Sequence, residues 1–236
     1  MRLCTIVETY IVTSDTLWEY YYIDCKLSKD HLPCIVVEPG ITLEIKTSKL
    51  NGNSRFRGII IKGSTLKINQ VTMENFIGKG AALYASDLSK VEMTNSVIRN
   101  CDAGTGKPSY KHGVVVIVAA ELKISNSTIE NNEGFSILYV HSPIPSQIMH
   151  SSFLGNKASS SFGIIKFIRV LRATVYNNEF IDNISKGVKD DILYCFSHTD
   201  AVCTLINLNN NLDNLNGKIK TGNTAGSNKC ALFSFK

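Results

Sequence analysis

Hydrophobic and polar residues alternate in short stretches along most of the chain. The clearest examples are Leu66-Lys67-Ile68, Val91-Glu92-Met93 and Leu122-Lys123-Ile124. A period of two residues is typical of a β-strand that buries one of its faces. The pattern therefore predicts an all-β protein built from short strands.

The alternating stretches recur inside a longer unit that ends on asparagine. Six copies align, and they cover residues 66–75, 91–100, 122–131, 147–156, 174–183 and 205–214. An aliphatic residue or methionine stands two positions before each closing asparagine, and polar turn-forming residues occupy the middle of each copy. A further apolar segment follows each copy after a loop of variable length. One unit thus predicts three short strands separated by turns.

Units of this kind predict a stack of coils rather than hairpins. Each strand would hydrogen-bond to the same strand of the next coil, which gives a single-stranded parallel β-helix of about seven coils. The closing asparagines would then form one ladder along the axis, bonded side chain to side chain. The predicted ladder consists of Asn75, Asn100, Asn131, Asn156, Asn183 and Asn214.

Two other folds also contain many short strands. A β-sandwich explains the density of strands but not the recurrent motif. A leucine-rich repeat shares the asparagine ladder but has a different register. Residues 1–34 contain no asparagine and are rich in aromatic residues, so we expect an irregular N-terminal cap or a leading strand there, and the β-helix domain at residues 35–236.

The copies close on a short motif in which Phe or Ile is followed three residues later by asparagine. It is clearest in Phe153–Asn156 and Phe180–Asn183. It resembles the right-handed parallel β-helix proteins of the pectin-lyase-like superfamily. The loose spacing resembles the polymorphic outer-membrane-protein repeats of chlamydiae and similar repeats in surface proteins of other microbes and protists. Gly80–Leu83 approximates the residues with which a strand starts in those repeats. The resemblance covers about residues 35–235 and implies a right-handed helix.

Composition and charge add a few limits. The chain has 236 residues, 44% of them hydrophobic, and a net charge of +5. No basic run or basic-aromatic alternation predicts nucleic-acid binding, and no apolar run reaches the roughly 18–20 residues of a membrane helix. Glu8 interrupts the first apolar stretch, so the opening is a poor signal peptide. Residues 1–45 are acidic and residues 201–236 are basic.

The resemblance also indicates where chemistry would lie. Polygalacturonase-like relatives use an Asn-Thr-Asp segment, an Asp-Asp pair, a Gly-His-Gly and an Arg-Ile-Lys, and this chain has only the pair Asp190-Asp191. Adjacent carboxylates in a strand point in opposite directions, whereas a hydrolase needs two that face a substrate. No acidic cluster is dense enough for calcium. The sequence therefore predicts no catalytic residue, no metal and no cofactor.

Cysteines and glycosylation motifs bear on the compartment. Cys25 and Cys34, and likewise Cys195 and Cys203, are close enough for short disulfide loops, with burial as small apolar side chains as the alternative. N-glycosylation motifs begin at Asn126, in a predicted turn, and at Asn183, which the ladder would shield.

Two functions remain open. The first is a non-catalytic structural or adhesive scaffold, extracellular or at the cell surface. It would be a segment of a larger surface protein or a subunit that stacks end to end through its acidic and basic ends. Its partners would be further copies, other surface proteins or glycans. The second is a polysaccharide lyase or hydrolase, or a carbohydrate-binding module, with a groove lined by Tyr84, Tyr139, Phe167 or Tyr194. We prefer the first.

Overall fold

The described part of the chain consists of β-strands joined by turns and loops, without helices. The structure, a computed structural model, describes residues 1–26, 32–54, 57–78, 81–104, 113–159 and 163–185, together with the backbone of four later strands. The strands, numbered β1–β29 in chain order, pair in parallel and form three long sheets and one short sheet.

The four sheets are named A to D. Sheet A contains β1 (Arg2–Ile6), β4 (Tyr21–Cys25), β7 (Lys49–Asn51), β10 (Thr72–Glu74), β13 (Val97–Arg99), β16 (Thr128–Glu130), β20 (Ser152–Leu154) and β24 (Glu179–Ile181). Sheet B contains β2 (Tyr10–Val12), β5 (Ile35–Val37), β8 (Ile59–Lys62), β11 (Leu83–Ser86), β14 (Gly113–Val118), β18 (Ser136–His141), β22 (Ile165–Ile168), β26 (Leu193–Ser197) and β28 (Lys220–Asn223). Sheet C contains β3 (Thr16–Glu19), β6 (Thr42–Lys46), β9 (Thr65–Asn69), β12 (Lys90–Thr94), β15 (Glu121–Ser125), β19 (Ser146–Met149), β23 (Arg172–Tyr176), β27 (Thr204–Leu208) and β29 (Ala231–Phe235). Sheet D contains β17 (Glu133–Gly134), β21 (Lys157–Ala158) and β25 (Ile184–Ser185).

As far as β24, the chain runs through sheets B, C and A in turn, so each of these coils adds one strand to each of the three long sheets. The register keeps like residues in line. Leu66 pairs with Leu43 in the coil before and with Val91 in the coil after, and all three are buried. The predicted parallel β-helix is therefore confirmed, because the alternating apolar positions stack into continuous inward columns.

The core is a column of aliphatic and aromatic side chains enclosed by the three long sheets. Phe153 and Phe180 stack in successive coils with ring centroids 4.9 Å apart. Burying one side chain of this size contributes roughly 1.5–3 kcal/mol. Gly52 lies where the Phe76 ring fills the interior, and a Cβ atom there would come within 2.6 Å of that ring.

The parallel β-helix extends upstream of the boundary that the sequence predicts at residue 35. β1–β4 already pair in parallel with strands of the later coils, for example Ile6 with Cys25 and Val12 with Val37. The first corner between sheets C and A turns at Tyr20, which has a φ of 61°. The absence of asparagine from this segment therefore does not mean that the coil is missing.

Candidate functional site

The predicted asparagine ladder divides into two columns. One column lies at the corner after sheet A, where the backbone is left-handed with φ between 52° and 61°. Register places Asn75, Asn100, Asn131, Gly155 and Asp182 in it. The second column lies one residue further along and points inward, and it contains Asn132, Asn156 and Asn183. The prediction of a single ladder was wrong, and its sixth member, Asn214, lies outside the described residues.

The single ladder was predicted because the distance from the core-facing residue of the sheet A strand to the asparagine differs between the copies. Met73, Ile98 and Ile129 face the core and stand two residues before an asparagine. In the later copies the core-facing residues are Phe153 and Phe180, which stand three residues before one. Leu154 and Ile181 next to them are half-exposed, so aligning on these aliphatic residues shifts the register by one.

The inward asparagines form a fully bonded ladder. The Nδ2 of Asn132 donates to the Oδ1 of Asn156 over 3.1 Å, and the Nδ2 of Asn156 donates to the Oδ1 of Asn183 over 2.9 Å. The same Oδ1 atoms accept the backbone N–H of the preceding ladder residue over 3.1 and 3.0 Å. The ladder therefore satisfies buried amides that would otherwise be unpaired.

A second inward row, which the sequence analysis did not identify, lies at the corner between sheets C and A. Serine hydroxyls accept backbone N–H groups from the coil before, as Ser127 does from Ser96 over 3.2 Å and Ser151 from Ser127 over 3.2 Å. Asn178 continues the row by accepting from Ser151 over 3.0 Å. The signal was the repeated serine after a turn residue, since a positive-φ residue such as Asn95 or Asn126 turns the next side chain inward.

The outer face of sheet A carries a chain of charges across four coils. Glu74 lies between Lys49, 2.6 Å away, and Arg99, 2.9 Å away, and Arg99 also approaches Glu130 at 3.8 Å. Burial alone would raise the pKa of Glu74, but the hydrogen bonds and charges of Lys49 and Arg99 outweigh it and lower the pKa. Glu74 is thus held as a paired carboxylate.

A family comparison agrees with this geometry. A sequence model of a protein family, described as "Right handed beta helix region", matches residues 21–153, more than half of the chain. The chain belongs to the right-handed β-helix family. A search among curated proteins found no match for this β-helix protein. The resemblance to chlamydial repeats stays a prediction.

The outer face of sheet B is the part of this β-helix protein where an aromatic groove was predicted. Register aligns Tyr84, Val116, Tyr139 and Lys166 in one outer column, in which Tyr139 is buried and Tyr84 half-buried. Phe167 faces the core, so the prediction that it lines an outer groove was wrong. Tyr194 pairs with Lys166, but its side chain and the pair Asp190-Asp191 lie outside the described residues.

Lys166 is the one buried lysine among the described residues. Its Nζ lies 5.8 Å from the centroid of the Tyr139 ring and 5.9 Å from that of Phe135, both within cation–π range. Burial lowers the pKa of Lys166 to about 8 and raises the pKa of Tyr139 to about 12. The ammonium charge is therefore costly at this position, even with aromatic rings beside it.

The cysteines of the β-helix protein occupy different environments. Cys25 and Cys34 form a disulfide that spans the corner between β4 and β5. Cys101 is a free thiol in the core, and burial raises its pKa to about 12, so it stays protonated and unreactive. The side chains of Cys195 and Cys203 lie outside the described residues.

The two glycosylation motifs also differ. Asn126 is exposed at a corner with a φ of 48°. Asn183 is buried, and its Nδ2 donates to the carbonyl oxygen of Phe153 over 2.7 Å. Only Asn126 is therefore placed where a glycan could be attached without breaking the ladder.

Two shallow depressions lie along the corner between sheets A and B. One of about 360 Å³ is lined by Asn53, Ser54, Asn75, Ile77 and Asn100. The other, of about 280 Å³, is lined by Glu133, Lys157, Ala158, Ser159 and Ile184. In the described ranges, no group of three or more His, Cys, Asp or Glu side chains is placed to hold a metal ion. The described residues also include no helix long and apolar enough to cross a membrane.

Proposed function

We propose that this β-helix protein is a non-catalytic structural or adhesive scaffold that works outside the cell or on its surface. The observation that carries the proposal is the use of its buried polar side chains. The side-chain amides of Asn132, Asn156 and Asn183 form hydrogen bonds between neighbouring coils. The hydroxyls of the serine row form hydrogen bonds between coils at another corner. These side chains stiffen the stack of coils and do not converge on a substrate position.

The described carboxylates on the sheet faces support a scaffold as well. Glu74 pairs with two cations on sheet A. On sheet C, Glu92 pairs with Lys90 at 2.9 Å and Glu121 with Lys123 at 2.8 Å. A glycosidase needs two carboxylates that face each other across a bond and differ in protonation. Carboxylates that each pair with a neighbouring cation fit a charged outer surface instead.

The extracellular setting rests on two features. The disulfide between Cys25 and Cys34 belongs to an oxidising compartment. Asn126 is exposed, and Thr128 two residues later completes an Asn-x-Thr glycosylation motif. Further copies of the chain are the partners that its acidic and basic ends favour, and other surface proteins or glycans are the remaining classes.

Intact mass of protein from its natural source tests the compartment. We expect deglycosylation to remove mass from the native protein, and an Asn126→Gln variant to lose that mass difference. We expect an Asn183→Gln variant to keep it if that variant folds. Reduction should release the two thiols of Cys25 and Cys34. Unmodified protein with both thiols free would contradict an extracellular scaffold.

Incubation with polysaccharides tests the absence of catalysis. Pectins, alginates and glycosaminoglycans should release no reducing ends and no unsaturated products that absorb in the ultraviolet. Activity that is lost in Asp190→Ala or Asp191→Ala would replace the scaffold with a polysaccharide lyase or hydrolase.

A further inference from the structure

The outer face of sheet C is open to solvent over several coils. Every outward-facing side chain of β6, β9, β12 and β15 is half-buried or exposed. On the outer face of sheet B, by contrast, Val116 and Tyr139 are buried. The strands of sheet A from β7 to β24 are only three residues long, whereas these four strands of sheet C have five residues each. Sheet C therefore presents a wide, flat surface that a partner can reach.

The middle column of this face alternates in charge. The register stacks four charged residues in successive coils, in the order Glu44, Lys67, Glu92 and Lys123. Lys67 is exposed. The salt bridges within β12 and β15 leave the next two charges accessible as well, since the side chain of Glu92 is 30% exposed and that of Lys123 41%. These charges can therefore interact with a second molecule.

The alternation is complementary to its own reverse. When a second copy faces sheet C with its coils in the opposite order, about a two-fold axis between β9 and β12, Lys67 of each copy lies opposite Glu92 of the other. In the same arrangement Glu44 of each copy lies opposite Lys123 of the other. Copies with their coils in the same order would oppose Lys67 to Lys67 and Glu44 to Glu44, which is repulsive. The charges therefore favour the antiparallel arrangement.

The columns on either side of the charges fit the same arrangement in size. Lys90 of one copy lies opposite Thr65 of the other, and Lys46 lies opposite Ser125. Each long side chain thus meets a short one that carries a hydroxyl group, and neither pair brings like charges together. Such pairs allow two sheets to pack face to face at about 10 Å.

The size of the face indicates how strong the contact would be. The six strands of sheet C from β3 to β19 overlap in the antiparallel arrangement. At about 4.8 Å per coil and about 16 Å along the strands, they cover about 450 Å² on each copy. This area is below that of a standard stable interface, so we expect a weak dimer whose affinity falls as salt screens the charges.

We propose that the outer face of sheet C is a dimerisation face, on which a second copy of the chain docks with its coils in antiparallel order. The contact is isologous, so it closes after two copies. The inference deepens the proposed function and rests on the self-association that belongs to it. It adds a side face of the stack of coils as the surface and names the charge pairs that form.

Sedimentation velocity over a range of concentration and salt tests the proposal. We expect a monomer–dimer equilibrium that shifts toward monomer as salt rises. Lys67→Glu introduces two like-charge pairs into the contact and should weaken association by about tenfold or more, and Glu92→Lys should do the same. An equimolar mixture of these two variants should associate about as well as the wild type, because each reversed charge then meets an opposite one.

Glu133 and Lys157 provide the matched control. They pair in adjacent coils of sheet D, at the corner between sheets A and B, and both are exposed. Lys157→Glu and Glu133→Lys change the net charge as the face variants do, and both should associate like the wild type. Circular dichroism verifies the fold of each variant. Lys67→Gln adds no like charge to the column and should still weaken association, which keeps the test valid if a charge reversal impairs folding.

The outcomes separate this inference from the scaffold itself. A wild-type protein that stays monomeric at every concentration, even at low salt, overturns the dimerisation face and leaves the non-catalytic scaffold standing. A dimer that Lys67→Glu and Glu92→Lys leave intact overturns it, and so does a mixture of the two variants that fails to associate. Equal weakening by the control variants overturns it as well, because net charge and not this face would then govern association.

Discussion

Replacing Asn156 by alanine tests whether the inward ladder, and not the exposed column, stabilises the stack of coils. The Oδ1 of Asn156 accepts the backbone N–H and the Nδ2 of Asn132, both over 3.1 Å. Its Nδ2 donates to the carbonyl oxygen of Ile129 over 2.7 Å and to the Oδ1 of Asn183 over 2.9 Å. Four hydrogen bonds at about 1 kcal/mol each, in a site that water does not reach, give a loss of about 3–5 kcal/mol.

The neighbouring exposed column provides the control. Asn131 lies one coil earlier, in the left-handed conformation with a φ of 53°. Glycine adopts that conformation without strain, so Asn131→Gly should change the free energy of unfolding by less than about 0.5 kcal/mol. The two asparagines differ in column but not in residue type.

Urea unfolding followed by circular dichroism measures both variants, with the midpoint and the slope reported because stacked coils can unfold in parts. Asn156→Ala should unfold at a much lower urea concentration and Asn131→Gly close to the wild type. If Asn156→Ala costs less than about 1 kcal/mol, or if both variants cost the same, the ladder does not carry the stability assigned to it.

Three further perturbations have expected results. The pKa of Lys166 is lowered to about 8 from 10.5 by burial, so the folded state loses stability as pH falls from about 10.5 to 8. Lys166→Met should therefore be more stable than the wild type by about 3 kcal/mol at pH 7 and equal to it above pH 10.5, measured by urea unfolding at both pH values. The pKa of Glu74 is lowered from 4.5, so its contribution is present above that value and is lost on acidification. Glu74→Gln should therefore lower the free energy of unfolding by about 1–2 kcal/mol at pH 7, a modest value because solvent screens the cationic partners. The difference in stability between variant and wild type should shrink below pH 4.5 in acid unfolding curves. The double variant Cys25→Ala/Cys34→Ala removes the disulfide between residues nine positions apart, and its free energy of unfolding should fall by about 2–3 kcal/mol in thermal unfolding, as that of the reduced wild type should. No effect would mean that the disulfide does not constrain the unfolded chain.

The sequence was sufficient for the strands because apolar and polar residues alternate in them. Leu122 and Ile124 are buried and Lys123 between them is not, as the pattern predicts. The pattern fails where two adjacent residues are both apolar. Phe153 and Leu154 can each be the core residue by composition, and only the pairing with Ile129 shows that it is Phe153. That ambiguity of one residue moved Asn156 into the wrong column.

The row of paired charges on the outer face of sheet A could not be predicted from the sequence. Glu74 and Arg99 are 25 residues apart, and Arg99 and Glu130 are 31 apart, because the loops between the coils differ in length. No fixed period links such residues, so their contact follows only from the register. The serine row was visible as a repeated turn, but its inward direction depends on the positive φ of the residue before it.

The hydrogen bonds that side chains make to the side chains and backbone of adjacent coils have a consequence for how the chain folds. Their partners are 23 to 34 residues apart, and each bond joins one coil to an adjacent one. Closing a loop of that length costs the same wherever it occurs, so adding coils does not raise the entropic barrier for the next one. Folding can therefore begin in one coil and spread to both ends, with each completed coil serving as the template on which the following one condenses.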